Sequence, residues 1–340
     1  MPYKIAFSFS DGKTLFCNGQ EGDLILDTAL RNGIKIPLDC REGVCGTCQG
    51  RCDSGLYTQD YVDEETLSED DLAQRKVLTC QTRVQSDAAF SFDFDSTLCS
   101  ATGTKAISGK VCNVQKISEG TAILNIDASE EGAALNYLPG QYARLKIPGT
   151  DAWRSYSFAA APGKHTLQFL VRLLPNGVMS DYVRDRCGEG DTIELEAPLG
   201  AFYLRHVERP LLMVAGGTGL SAFLGMLDSL VEQGGTGQPV TLYYGVRSVD
   251  DICEQQRLDG YRQRLPGFEY HIVVSDPSSD WAGKAGYIDA HLDAAVLRDE
   301  PHDIYLCGPP PMVESIKNWI STNDLSDSRV YLEKFTESNT

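Results

Sequence analysis

Cys40-Arg41-Glu42-Gly43-Val44-Cys45-Gly46-Thr47-Cys48, followed by Cys80 after 31 further residues, decides how the first third of the chain folds. Cys-x4-Cys-x2-Cys with a distant fourth cysteine is the plant-type spacing of a [2Fe–2S] site. Three thiolates from one tight loop and one from a remote segment give each iron two protein ligands. A loop wrapped round a compact anionic cluster needs glycines, here Gly43 and Gly46, so that backbone N–H groups turn inward toward the sulfurs. The competing zinc reading requires two Cys-x2–4-Cys pairs, and Cys80 stands alone. Cys52 reads as a buried bystander thiol.

Working outward, residues 3–9 alternate like a half-buried strand, Asp11-Gly12 is a turn, and residues 14–17 suit the returning strand. Asp23 to Gly33 reads as a short helix with apolar Leu24, Leu26 and Leu30 and a terminal glycine. An acidic stretch runs from Asp60 to Asp71. Residues 86–109, rich in Ser, Thr, Ala and Gly, are the predicted linker. From Val111 onward come short strands at 111–117, 121–126, 142–147, 154–159, 166–173, 192–196 and 201–204, punctuated by Pro-Gly turns and one helix near 178–186. That pattern predicts a small antiparallel barrel or sandwich. After Pro210 continuous apolar runs (211–215, 240–246, 268–274, 304–307) alternate with helical stretches, the rhythm of a parallel sheet covered on both faces.

The composition agrees. At 340 residues the chain exceeds one ordinary core, so two or three domains are expected. Hydrophobic residues at 42% and charged residues at 23% fit a soluble globular protein. No apolar run approaches the ~18 residues of a membrane span, and the N-terminus lacks the pattern of a signal peptide. The net charge of −18 argues against nucleic-acid or anionic-membrane surfaces, which need clustered Lys and Arg. Residues 1–98 hold 9 basic and 17 acidic residues, −8, against −10 for the remaining 242. The acidic first third is either a solubility device or a docking face for a basic partner. Eleven cysteines, odd in number and clustered, suit a cytosolic metal site better than a secreted disulfide scaffold.

Two further groups carry chemistry. Arg154-Ser155-Tyr156-Ser157 lies on a strand of the barrel segment. There Arg154 suits a phosphate, Tyr156 a stacked ring, and Ser157 a hydrogen bond to the ring's reactive edge. Gly177-Val178-Met179-Ser180 opens a helix, an anion site for a pyrophosphate. Each element alone fits an ordinary surface arginine, core tyrosine or serine cap; together they favour flavin. Leu211–Ala215 then runs into Gly216-Gly217-Thr218-Gly219 and an apolar helix, a strand–glycine turn–helix unit suited to a dinucleotide pyrophosphate. At the next strand end Arg247 suits a 2′-phosphate while Asp250 and Asp251 repel one, and the reading leans to NADH. Cys307-Gly308-Pro309 taken alone reads as a tight turn with a buried thiol.

These three groups, in this order over essentially the whole chain, resemble the ferredoxin-fused branch of the ferredoxin–NADP⁺ reductase superfamily. The likeness is greatest to the reductase components of bacterial aromatic-ring dioxygenases, the benzoate 1,2-dioxygenase type in particular. The resemblance implies a multidomain α+β and α/β protein. A plant-type ferredoxin (β-grasp) domain would span 1–98, an antiparallel FAD-binding β-barrel 99–206, and a parallel-sheet NAD-binding α/β domain 207–340. It implies that Cys40, Cys45, Cys48 and Cys80 ligate iron. Arg154, Tyr156, Ser157, Gly177 and Ser180 would hold FAD, and Gly217, Thr218 and Gly219 would hold NADH. Cys307 would lie beside the nicotinamide, and Glu333 and Phe335 would form a terminal acid–x–aromatic group at the flavin. Two departures from the family pattern stand out: Ala222 replaces a proline often found after the glycine loop, and five residues follow Phe335.

The implied order has an energetic logic. NADH delivers a hydride, a [2Fe–2S] cluster accepts single electrons, and a flavin handles both, so it belongs between them. Ser157 and Cys307 would align the rings at about 3–3.5 Å, with Glu333 in the same catalytic group. The five histidines are isolated and form no two-His-one-carboxylate grouping. Oxygen activation is therefore expected in a partner, a terminal oxygenase, and the setting is expected to be cytoplasmic. The rival readings are a reductase for a multicomponent phenol or alkane monooxygenase, and a non-catalytic redox sensor or zinc-bound interaction module.

Overall fold

The alternation at the start of the chain forms β1 (Tyr3–Ser8), paired antiparallel with β2 (Thr14–Gly19) so that Ile5 faces Cys17. The computed structural model describes residues 2–99, 105–129 and 135–335. The chain divides into two compact units, Met1–Lys105 with Leu199–Ala201, and Ala106–Pro198 with Phe202–Thr340. In the first, α1 (Ile25–Arg31) is followed by β3 (Gln49–Ser54), β4 (Tyr57–Gln59), α2 (Glu69–Ala73), β5 (Lys76–Leu78), β6 (Thr82–Val84) and β7 (Ala88–Ser91). The main sheet has the order β2-β1-β7-β3-β5, and β4 and β6 pair separately. The helix buries Ile25, Leu26 and Ala29, whereas Leu30, expected on its apolar face, is exposed. At 3.6 residues per turn the stripe follows 25, 26 and 29 and leaves position 30 outside it.

Within the linker expected at 86–109, residues 88–91 form a strand and 105–109 begin another; residues 100–104 lie outside the described residues. Strand β7 is central, parallel to β1 and antiparallel to β3. Phe90, Phe92 and Phe94 are buried, and their rings pack on Phe7 and Phe9 with centroids 5.6–6.2 Å apart. The small residues between them face away from this aromatic core. Removing one such ring, as in Phe90→Ala, costs about 3–5 kcal/mol.

The second unit opens with β8 (Lys105–Ser118), β9 (Thr121–Asp127), β10 (Tyr142–Lys146), β11 (Trp153–Ser157), β12 (Thr166–Arg172), α3 (Val178–Asp185) and β13 (Thr192–Leu199). Their order is β11-β10-β13-β8-β9-β12, and a bridge between Phe158 and Phe169 joins the two ends, closing an antiparallel barrel. The strand expected at 201–204 does not form. Both edges of β13 are already taken by β10 and β8, so the segment gains only single bonds such as Leu204 N–H to the Pro139 carbonyl.

The same unit continues with β14 (Leu211–Gly216), α4 (Leu220–Glu232), β15 (Val240–Val246), α5 (Gln255–Arg264), β16 (Phe268–Val274) and β17 (Lys284–Ala285). Then come α6 (Ala294–Asp299), β18 (Asp303–Gly308), α7 (Pro310–Thr322) and β19 (Arg329–Lys334). The sheet runs β17-β16-β15-β14-β18-β19 with every pair parallel. Every residue of β14 and β18 is buried, which explains their unbroken apolar runs. Strand order reverses between β14 and β18, and in such sheets ligands bind at the carboxyl ends flanking that switch. Helix α4 lies close against the barrel: a Cβ on Gly225 would stand 2.8 Å from the Phe158 carbonyl oxygen. Its core joins the barrel's Ile123, Ala159 and Leu170 to Phe223 and Leu227. Among the described residues no helix is long and apolar enough to cross a membrane.

Candidate functional site

The four motif cysteines are linked two by two. Cys40 and Cys45 share a hydrogen bond with their sulfurs 3.1 Å apart, and Cys48 is tied to the Cys80 segment through Thr79, whose N–H and Oγ1 donate to the Cys48 carbonyl (3.2 and 3.1 Å). Among the described residues no three His, Cys, Asp or Glu side chains converge to hold a single metal ion. Four thiols that do not converge on one point suit a binuclear cluster, with two for each iron, better than a single tetrahedral zinc. The hydrogen bond with Cys45 draws the Cys40 thiol down to about 5, helped by the backbone N–H groups of Glu42, Val44 and Cys45. The same N–H groups suit thiolates and cluster sulfur. Arg41, Gly43 and Gly46 take φ of 60°, 80° and 76° to turn the loop inward. A Cβ on Gly43 would lie 2.5 Å from the Tyr61 carbonyl oxygen, so this glycine is required twice over. Thr66 Oγ1 donates to the Val44 carbonyl (2.9 Å) and fastens the loop from outside. The donor set fits a [2Fe–2S] cluster.

In the second unit, β11 presents Arg154, Tyr156 and Ser157. Tyr156 packs on the barrel core, and burial raises its phenol, opposed by Arg154, so it stays neutral. Arg154 donates to the Trp153 carbonyl (2.8 Å). Gly177 caps α3, where a Cβ would stand 2.8 Å from Ser180 Oγ. That hydroxyl donates to the Arg172 carbonyl (3.0 Å) and accepts from Leu174 N–H (2.9 Å). Gly177 and Ser180 thus shape the loop before α3. The first-turn N–H groups of the helix have no intrahelical acceptors, the arrangement with which helix N-termini bind anions.

Ser157 ends β11 and is 2% exposed; its Oγ donates to Glu333 Oε2 at 3.3 Å. Glu333 lies on β19 directly opposite Cys307 on β18. Burial, reinforced by the Glu333 charge, raises the Cys307 thiol well above its ordinary value. It is a neutral thiol, fit to line a ring and unfit to attack one. Phe335 N–H donates to the Gly308 carbonyl (2.9 Å), and Lys334 pairs with Glu314 on α7 (2.9 Å), so β19 is fixed on both sides of Glu333. Here the structure joins two groups that are far apart in sequence, the end of the flavin strand and the Cys307 turn.

Most of the glycine loop has a packing role. A Cβ on Gly219 would meet the Cys307 carbonyl oxygen at 2.2 Å, and one on Gly308 would meet Gly216 Cα at 2.9 Å. The turns after β14 and β18 therefore touch backbone to backbone at the switch point. Gly217, with φ of 53°, faces open space, its nearest neighbour being Arg172 Nη1 at 3.8 Å from a built Cβ. Sequence reading missed Arg172, the exposed last residue of β12; it sits in no motif, and only the fold brings it to the glycine loop. It missed Gly308 as a packing glycine for the same reason. On the next strand, Asp251 accepts from Ser248 N–H and Oγ (3.1 and 2.9 Å), so it holds the turn beside Arg247.

Three domain families match the chain: a 2Fe-2S iron-sulfur cluster binding domain over residues 8–85, an oxidoreductase FAD-binding domain over 108–203, and an oxidoreductase NAD-binding domain over 213–318. The chain is 57% identical to the anthranilate 1,2-dioxygenase electron transfer component of Acinetobacter baylyi, covering 100% of this chain and 99% of that one. It is 40% identical to the toluate 1,2-dioxygenase electron transfer component of Pseudomonas putida, covering 99% and 100%. Among solved structures, Amycolatopsis cytochrome P450 reductase GcoB matches with a TM-score of 0.70 and 29% identity, over 98% of this chain and 99% of that one.

Proposed function

The chain belongs to the ferredoxin-fused branch of the ferredoxin–NADP⁺ reductase superfamily, among the reductases of aromatic-ring dioxygenase systems. From that premise we propose that it serves a terminal 1,2-dioxygenase acting on a benzoate-class ring carboxylate. Its cofactors are FAD and a [2Fe–2S] cluster, with NADH as donor. When bound, FAD would supply the conversion between a two-electron hydride donor and a one-electron iron–sulfur acceptor.

The observation that carries the redox reading is the meeting of Ser157, Glu333 and Cys307 at the switch point. Ser157 is held by Glu333, and its hydroxyl would serve the flavin edge. Cys307 supplies a neutral, water-excluding wall for the nicotinamide. Arg154 and the first turn of α3 hold the flavin phosphates, and Tyr156 stacks on its ring. Gly217, Thr218 and Gly219, with Arg172 beside them, receive the dinucleotide phosphates. Cys40, Cys45, Cys48 and Cys80 ligate the irons, and Phe335 covers the flavin face. The boundaries 1–98, 99–206 and 207–340 belong to the same reading.

Substrate class is supported by relatives named for anthranilate, toluate and 2-halobenzoate dioxygenases, all acting on ring carboxylates. Benzoate itself is one member of that class, and the 57% relative is named for anthranilate. A monooxygenase reductase is less supported, the propane 2-monooxygenase component being 30% identical. The test is a visible spectrum before and after anaerobic NADH. Flavin and iron–sulfur bands both bleaching is the expected result; a reconstituted protein that NADH leaves unbleached overturns the reading. Turnover with purified anthranilate-, toluate- and benzoate-type oxygenases then ranks the partners.

A further inference from the structure

Arg257 on α5 belongs to none of the motifs above, and its side chain is largely buried at 19% exposure. Every N–H of its guanidinium has an acceptor. Nε donates to Tyr261 Oη (2.7 Å), and Nη1 to Gln168 Oε1 (2.7 Å) and Glu254 Oε2 (3.3 Å). Nη2 donates to the Ala159 carbonyl (2.7 Å) and to Asp228 Oδ2 (2.8 Å). Only a planar fork satisfies so many acceptors at once; a lysine ammonium, with its donors on one nitrogen, cannot.

The acceptors come from both halves of the second unit. Asp228 is on α4, while Glu254 and Tyr261 belong to α5 and its cap. Gln168 and Ala159 belong to the barrel, and Ala159 N–H itself donates to the Gln168 carbonyl (2.8 Å). Ala159 lies two residues beyond Ser157, so the guanidinium grips the segment that continues the flavin strand. Ser157 meets β19 of the nucleotide sheet through Glu333. The flavin strand is thus joined to the nucleotide half at two places, by one hydrogen bond at Ser157 and by the Arg257 network beyond it.

We propose that Arg257 is a positioning residue for hydride transfer, setting how the nucleotide loop approaches the flavin edge. The inference rests on the function proposed above. Stability alone does not account for the arrangement, since buried ion pairs are commonly replaceable by apolar packing without loss. A fork that fixes the orientation of two domains is valuable where a misplacement of about 1 Å slows chemistry on the order of 100-fold.

The test uses the flavin- and cluster-loaded protein with Arg257→Lys, which keeps the charge and loses the fork, and Asp228→Asn as a second variant. Anaerobic stopped-flow mixing with NADH reads the flavin-reduction rate, the apparent Kd for NADH and the long-wavelength nicotinamide–flavin charge-transfer absorbance. Thermal melts and flavin content are measured alongside. Arg257→Lys is expected to keep full flavin, to lower the limiting rate about 10-fold with Kd changed less than about two-fold, and to weaken the charge-transfer band. Asp228→Asn is expected to act in the same direction. A limiting rate within two-fold of the parent overturns the proposal. So does a rate loss that merely follows lost flavin or a lowered melt in both variants, which would make Arg257 a structural residue. A parent protein that NADH does not bleach overturns the function itself. A parent that bleaches, beside variants that keep its rate, overturns the positioning role alone.

Discussion

Ser157 and Glu333 are 176 residues apart in sequence and 3.3 Å apart in the fold. Because Ser157 donates to a fixed carboxylate, its hydroxyl has little freedom to turn, which suits the role proposed for it at the flavin edge. Ser157→Ala is expected to slow flavin reduction by NADH on the order of 100-fold with the bound flavin spectrum nearly intact; unchanged stopped-flow rates would remove Ser157 from the mechanism. Cys45→Ser leaves Cys40 without its thiol partner and, on the proposed ligand set, one iron short of a ligand. Iron content and the iron–sulfur part of the visible absorption are expected to fall to background while NADH still bleaches the flavin; a variant with normal iron would refute the ligand assignment. These residues differ in how far the sequence reveals them. Ligand spacing in a single loop is a local pattern, so Cys40, Cys45 and Cys48 can be read directly. Glu333 was reachable only through a family resemblance, because a contact between distant strands leaves no periodic trace. Arg172 and Arg257 leave none either: each is an arginine on an ordinary strand or helix until the fold gives it partners.

Elements show a similar division. The runs 240–246 and 268–274 became strands at those bounds: β-branched and aromatic residues dominate both, alternate positions are buried, and the runs stop at Arg247-Ser248 and Ser275. Strand β7 was hidden by composition: the Ser, Thr, Ala and Gly of 86–109 suggested a linker, while the alternation of Phe90, Phe92 and Phe94 was the informative signal. The 201–204 segment erred the other way, an apolar stretch with no sheet edge to join. At the junction of α3 and β13, Asp191 Oδ2 accepts from Tyr182 Oη (2.8 Å) and Gly188 N–H (3.1 Å). The Gly188 N–H, followed by the Tyr182 hydroxyl, holds this carboxyl below its ordinary value. A depressed carboxyl stabilises the fold fully above the unfolded value near about 3.9, and that contribution is lost as pH falls through the lower folded value. Asp191→Asn is therefore expected to lower the urea midpoint at pH 7, with the gap to the parent closing below about pH 4. A gap that persists unchanged in acid would show that the carboxylate charge plays no part.

On the scale of the whole chain, charge and rhythm were the legible features. The change from short punctuated strands to long apolar runs at Pro210 correctly separated antiparallel from parallel architecture, since each follows from which faces are buried. The charge of −18 is densest in residues 1–98, around the cluster loop. Electron delivery to the oxygenase is expected to slow as ionic strength rises toward about 0.5 M, through weaker association. A rate that stays flat across that range would count against electrostatic docking. Gly225 has a further consequence for how such proteins are rebuilt. Its bare backbone lets α4 sit against the Phe158 carbonyl, so the barrel and the nucleotide sheet are cut to each other's shape. A nucleotide domain transplanted from another reductase to change cofactor preference would bring a foreign helix to that seam, where a single methyl group is already too large. For recombination, natural or engineered, the piece that travels intact is the barrel and sheet together.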